Sequence, residues 1–204
     1  MKIHKYSVGQ LQTNCYFLVE DNKVIIIDAG DDAHFLLEQI QRLNLELLGV
    51  FATHGHFDHI LGVGEIQLSF DVPLYIFKED EFLVRRVKQT ARHFLKMDPH
   101  MVEPQKLEWL KAGKLRLGPF SFEVLHTPGH TPGACCFYFK EQKAIFTGDT
   151  LFKDAVGRYD HKYSDKGQLK GSLETLFKLP EETLAYPGHG EETFIQEEKD
   201  KKII

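Results

Sequence analysis

The segment Thr53-His54-Gly55-His56-Phe57-Asp58-His59 constrains this chain more than any other. Three imidazoles and a carboxylate stand within six consecutive residues. Nitrogen and oxygen donors at this density suit zinc, iron or manganese rather than calcium or magnesium. The apolar run Leu47 to Ala52 directly before it predicts a strand, so the donor segment starts where a rigid element ends. Alternate residues of an extended segment point the same way, so His54 and His56 can share one direction. Asp58 and His59 lie past the bend, where a helix begins, and can face a second ion.

Three more loops of this kind follow predicted strands. Strand 120–126 leads to Pro128-Gly129-His130-Thr131-Pro132-Gly133, strand 143–147 to Gly148-Asp149, and strand 183–186 to Pro187-Gly188-His189-Gly190. Each donor alone is an ordinary loop residue. Together with the first segment they describe a site assembled at strand ends.

The remaining pattern supplies the scaffold. The β-branched run Val24 to Ile27 ends in Asp28-Ala29-Gly30, a buried strand and its turn, with Asn14 to Val19 as hairpin partner. Asp31 or Asp32 is placed to cap a helix carrying Phe35, Leu36, Ile40 and Leu43. Helices are expected over 60–70, 79–96 and 173–179, with further strands at 72–77, 115–117 and 134–139. Residues from Pro99 to Trp109 read as a loop, and 197–202 as a solvated charge run. Strands interleaved with helices in two similarly built halves suggest sheets packed together with helices outside.

Length and composition narrow the class. A chain of 204 residues suits one domain, 1–204, with no need of staples. The net charge of −5 leaves no electrostatic footprint for nucleic acid. Three cysteines, two of them adjacent, argue against a disulfide framework and for a reducing compartment. Cys135 and Cys136 are expected as one core-facing and one outward-facing residue. Neither a signal peptide nor a membrane-spanning stretch is seen, so the expectation is a cytoplasmic protein with a small-molecule substrate and no nucleic-acid or membrane partner, as a monomer or small homo-oligomer.

The series THGHFDH, PGHTPG, GDTLF, GR and PGHG resembles the metallo-β-lactamase superfamily over essentially the whole chain, in particular its short glyoxalase II-like (hydroxyacylglutathione hydrolase-like) branch. The resemblance implies an αββα sandwich, an α/β (α+β) architecture, with the site along one edge of the two sheets. It implies one metal on His54, His56 and His130, a second on Asp58, His59 and His189, and Asp149 bridging both. The cofactors would be two divalent ions, with zinc ahead of iron or manganese. Full-length glyoxalase II enzymes carry a C-terminal helical domain that helps grip glutathione. This chain stops fifteen residues after His189 and is expected to lack it.

The activity so implied is hydrolysis of thioesters such as acylated glutathione by a metal-bridging hydroxide, with Asp58 as ligand and proton acceptor. No general acid is evident, which favours thioesters, because a thiolate with a pKa near 8.5 leaves without protonation. A mononuclear iron persulfide dioxygenase on the same fold is the alternative. Arg158 and Tyr159, which follow the Asp149 loop, are candidate rim residues for substrate. His4, His34, His93, His100 and His161 have no donor companions in sequence, and His126 is expected in a hydrogen-bonded structural role.

Overall fold

The computed structural model describes residues 1–201. Strands β1 (Lys2–Val8), β2 (Thr13–Glu20), β3 (Lys23–Ile27), β4 (Glu46–Phe51), β5 (Leu74–Ile76) and β6 (Leu107–Trp109) form one sheet in chain order. Its first three strands are antiparallel and the last four, from β3 on, are parallel. The second sheet runs β14-β13-β10-β9-β8-β7, built from β7 (Gly113–Leu117), β8 (Phe120–His126), β9 (Cys135–Phe139), β10 (Ala144–Gly148), β13 (Leu184–Pro187) and β14 (Thr193–Phe194). A small hairpin, β11 (Leu151–Phe152) and β12 (Ala155–Val156), stands beside it.

The helices are α1 (Ala33–Arg42), α2 (Phe57–Ile60), α3 (Val63–Ser69), α4 (Glu81–Val84), α5 (Val87–Leu95), α6 (Lys166–Leu176) and α7 (Ile195–Lys199). Side-chain alternation along the strands then sorts the core into three layers. Ile25 and Ile27 of β3 face Phe122, Phe137 and Phe146 of the second sheet. Val24 and Ile26 face the other way, onto Leu36, Ile40, Ile66 and Val87 of the first helical layer. Cys136, Ile145 and Ala185 of the second sheet pack on Leu169, Leu173 and Leu176 of α6. The result is helix, sheet, sheet, helix, the αββα order expected. No helix among the described residues is long and apolar enough to cross a membrane.

Several local expectations are corrected. Cys135 and Cys136 do point to opposite faces, but both are buried because each face of that sheet is covered. The helix expected over 60–70 is two short ones. Leu61 N and Gly62 N donate to Gly30 O and Ala29 O, and so are drawn out of a helical ladder toward the turn after β3. The segment 79–96 breaks at Arg85-Arg86, and Lys96 ends α5 in a left-handed conformation at φ 57°. Lys2–Val8 is a strand that the sequence reading passed over, and Leu107–Trp109 adds an edge strand inside the expected loop.

The last major helix starts at Lys166, ahead of the expected range, because the Asp165 side chain accepts a hydrogen bond from Gln168 N and caps it. Leu169, Leu173 and Leu176 then form its buried stripe. At α1, Asp32 occupies the cap position without capping, and its carboxylate accepts from Gly9 N instead. Phe35 lies on the exposed side of α1, edge-on to Tyr6. The charge run is only partly solvated. Glu198 of α7 is fully buried and accepts hydrogen bonds from Thr193 Oγ1 and Asp154 N. Lys202 lies outside the described residues.

Candidate metal centre

The donor loops leave the ends of β4, β8, β10 and β13 on one edge of the two sheets. The start of β2 ties that edge together. Asn14 N donates to Gly188 O at 2.7 Å, Asn14 Nδ2 to Pro187 O and Gly190 O at 3.0 Å each, and Tyr16 OH to Pro187 O at 2.6 Å. Gly188 is required by close approach: a Cβ there would stand 2.4 Å from Asp149 Oδ1 and 2.7 Å from His59 Cε1.

His54, His56 and His130 form a cluster of three ring nitrogens. His56 Nδ1 lies 2.9 Å from His54 Nε2 and 3.0 Å from His130 Nε2. Their proton positions follow from their outer partners. His130 Nδ1 donates to Arg158 O at 2.8 Å, which leaves Nε2 bare. Thr53 Oγ1 gives its one proton to the Asp28 carboxylate at 2.8 Å, so at 3.2 Å it accepts from His54 Nδ1, and His54 Nε2 is bare too. His56 uses its opposite nitrogen: Nε2 is hydrogen-bonded with Tyr163 OH at 2.7 Å, which turns Nδ1 toward the other two rings. Two lone pairs, on His54 Nε2 and His130 Nε2, thus converge on His56 Nδ1, and a cation among the three nitrogens is held once that nitrogen is bare as well. Nitrogens about 2.0–2.1 Å from one ion stand roughly 3.0–3.4 Å apart, close to what is seen.

Asp58, His59 and His189 form a second cluster, with Asp58 Oδ2 3.3 Å from His189 Nε2 and 3.6 Å from His59 Nε2. Asp149 stands between the two. Its Oδ1 faces His59 Nε2 at 3.4 Å and His189 Nε2 at 3.8 Å, and its Oδ2 faces His130 Nε2 at 3.6 Å. His59 Nε2 and Asp149 Oδ1 are buried with no hydrogen-bond partner among the described residues. Buried polar atoms left unpaired carry a desolvation cost, and ligation removes it. The donor set therefore fits two ions of the zinc, iron or manganese class sharing Asp149.

Electrostatics separate the clusters. Burial, reinforced by the neighbouring imidazoles, pushes His54 well below the usual histidine range, and burial with His130 brings His56 down to about 3. At His59 burial acts in the same direction, but the charges of Asp28, Asp149 and Asp58 overcome it and hold the imidazole well above its ordinary value. His189 is raised as well, burial being outweighed by the Asp58 hydrogen bond and Asp149. Burial would raise Asp58 and Asp149, and the surrounding histidines, His59 first, hold both down instead.

Sequence reasoning missed the groups that set these rings. Asp28, at φ 57° after β3, accepts from Thr53 N and Oγ1 and lies 2.9 Å from His59 Nδ1. Asp80 is fully buried and accepts from Gly55 N, Thr131 Oγ1 and Gly133 N at 2.7–2.8 Å, joining the first donor loop to the His130 loop. Burial raises its pKa in spite of those three donors. Thr13 Oγ1 donates to Asp58 Oδ2 at 3.3 Å, and His189 Nδ1 donates to Leu11 O at 3.1 Å. Outer partners of this kind fix ring orientation and tautomer.

A cleft of about 240 Å³ opens over His56, Asp58, His130 and Asp149. Of the two rim candidates, Arg158 lines it, with its guanidinium paired to the exposed Asp160. Tyr159 does not line it; its ring lies 5.1 Å beneath Lys166 Nζ. His161, set aside in the sequence reading, does line the cleft, stacked on Tyr163 and 5.5 Å ring to ring from His56. His126 stays structural, its Nε2 2.9 Å from Pro132 O and its ring stacked on Phe77.

The family model described as "Metallo-beta-lactamase superfamily" matches residues 8–189, from the end of β1 to the last donor histidine. The chain belongs to that superfamily. Among metallo-β-lactamase-fold relatives, "Probable metallo-hydrolase YqgX" of Bacillus subtilis is 34% identical, the match covering 98% of this chain and 96% of the relative. "Hydroxyacylglutathione hydrolase GloC" of Haemophilus influenzae is 35% identical over 98% of this chain and 95% of its own length. Two crystal structures are close in shape. BLEG-1, described as a B3 metallo-β-lactamase, superposes with a TM-score of 0.90 at 31% identity, covering 98% and 97% of the two chains. TTHA1623 in a di-iron-bound form gives 0.89 at 35%, covering 97% of each chain.

Proposed function

We propose that this metallo-β-lactamase-fold protein is a dinuclear metal-dependent hydrolase of thioesters, with acylated glutathione as the representative substrate. The observation that carries the reading is the pair of donor clusters sharing Asp149 beneath a single cleft. When bound, two such ions lower the pKa of a shared water toward about 7 and polarise a carbonyl. The chain itself holds the donors in register, through Asp28 and Asp80 below and Tyr163 at the rim. Asp58 lines the cleft beside His189 and is placed both to bind an ion and to take up a proton. Arg158 supplies a positive charge at the mouth for an anionic carrier.

Support for the thioester comes from the relative named as a hydroxyacylglutathione hydrolase and from leaving-group chemistry, since a thiolate needs no protonated partner. Zinc is the first expectation for both ions. The di-iron form of a similar structure makes iron the nearest substitute, with manganese next.

The test pairs elemental analysis with a thioester assay. Saturated protein should hold two ions per chain and hydrolyse S-lactoylglutathione, and stripping the metal should abolish the activity. One ion at saturation, with oxygen consumed on a glutathione persulfide, would transfer the protein to the dioxygenase reading.

A further inference from the structure

The two ends of the cleft differ in character. At the His56 end stand Arg158, His161 and Tyr163, all able to bond a polar group. At the His189 end the lining is apolar except for Thr90, one turn before Phe94 on α5, whose hydroxyl donates to Arg86 O. Leu11, whose carbonyl orients His189, is 46% exposed, and the Phe152 ring lies 6.3 Å from that of His189. Phe57, between His56 and Asp58, stacks on Phe94 of α5 at 5.7 Å, and Phe94 is 53% exposed. Val156 of the β11–β12 hairpin also lines the cleft. Scattered exposed apolar residues are ordinary, but here two of the large exposed ones, Leu11 and Phe94, line one cleft over the donor clusters.

We infer that the apolar wall receives the acyl group of the substrate, so that the preferred thioesters are those of apolar acids rather than of short hydroxy acids. This rests on the thioesterase reading. A carrier such as glutathione, bearing carboxylates and amides, is matched by the Arg158–His161–Tyr163 end. The Arg158–Asp160 pair is exposed and weak, so an incoming carboxylate can compete for the guanidinium. The acyl chain is then directed to the other end, where a hydroxyl would lose water and find no donor or acceptor in return on Leu11, Phe57, Phe94 or Phe152, and where Thr90 already gives its proton to Arg86 O.

The experiment uses metal-loaded protein and one carrier with graded acyl groups: acetyl, butanoyl, hexanoyl and lactoyl glutathione. A fully buried methylene contributes roughly fourfold. The wall is half open, so kcat/KM should rise at least about tenfold from acetyl to hexanoyl, with butanoyl above lactoyl. Binding gives a readout apart from turnover: the inert thioether S-hexylglutathione should bind at least about tenfold more tightly than S-methylglutathione. Phe94→Ala should bring both advantages below about threefold, while Leu68→Ala, on α3 outside the cleft lining, should preserve them. Lactoyl turnover equal to or faster than hexanoyl, with thioethers bound alike, would overturn the inference and leave the thioesterase reading standing. Inert thioesters with the thioether preference intact would do the reverse.

Discussion

The two donor clusters lie a few ångströms apart, share Asp149, and stand in opposite electrostatic states. In the His54–His56–His130 cluster three ring nitrogens converge, and burial holds His54 and His56 below the usual histidine range. In the Asp58–His59–His189 cluster carboxylates raise both imidazoles, Asp28, Asp149 and Asp58 acting on His59, and Asp58 with Asp149 on His189. At the first, His54 and His56 offer a cation imidazoles already held toward the neutral form. The second must exchange protons for one. Asp149, lying between the clusters, therefore stands between two groups of donors whose affinity for protons differs.

The largest effect should come from removing what the clusters share. Loss of an outer partner typically costs about 10–100-fold in affinity or activity. Asp149→Ala removes a donor from both positions and should cost on the order of 10³-fold or more, exceeding the effect of His189→Ala, which strips one position only. Elemental analysis of the two variants checks this directly. An Asp149→Ala protein retaining both ions and near-normal hydrolysis would end the bridging assignment.

Acidity should separate the clusters next. Between pH 8 and 6 neither His54 nor His56 should add to the pH dependence of the first position, since both are held below the usual histidine range. The other position should weaken as pH falls through the raised His59 value, by up to about tenfold per pH unit for each proton that must leave. Stepwise metal titration at several pH values, in buffers differing in ionisation enthalpy, counts those protons. In the metal-free chain the same shift has the opposite sign for folding. Protonated His59 stabilises the fold fully below its ordinary value of about 6.5, and that contribution is lost as pH rises through the raised value. Equal pH slopes at the two positions would contradict the comparison.

A smaller effect should be confined to one cluster. Tyr163→Phe removes the hydroxyl bonded to His56 but keeps a ring to stack on His161 and meet Phe82 edge-on. Chelator competition should show the first position weakened about 10–100-fold and the second changed little. Unchanged affinity at both would mean that packing alone orients His56.

What the sequence disclosed follows the same physical line. Donors with a shared direction at strand ends are legible because metal chemistry restricts residue type and the strand before each loop restricts place. The long apolar runs of β3 and β4 announced themselves because both of their faces are covered. Lys2–Val8 did not, since an edge strand with mixed burial has too weak an alternation. Breaks at Leu61-Gly62 and Arg85-Arg86 depend on contacts distant in sequence, such as Gly62 N on Ala29 O. Tyr163 and His161 were invisible because a flanking loop brings them to His56 from more than a hundred residues away.

Asp80 is the sharpest instance, and it supports the smallest of the expected effects. In Phe77-Lys78-Glu79-Asp80-Glu81 it looks like one more solvated acid, yet it is the fully buried one. Gly55 N and Thr131 Oγ1 donate to its Oδ2, and Gly133 N donates to Oδ1. All three groups are donors. Asp80→Asn keeps the shape and one acceptor oxygen, but turns an NH₂ toward a donor, so at least one buried group loses its partner. An unpaired group of this kind costs about 1–3 kcal/mol. Denaturant unfolding of the metal-free variant should show that loss of stability with an unchanged m-value. Because the carboxylate supports the His54–His56–His130 loops and touches none of the Asp58–His59–His189 donors, any loss of metal affinity should fall on the first position. A variant as stable as the parent, or one weakened equally at both positions, would show that the two donor loops are held together by something other than Asp80.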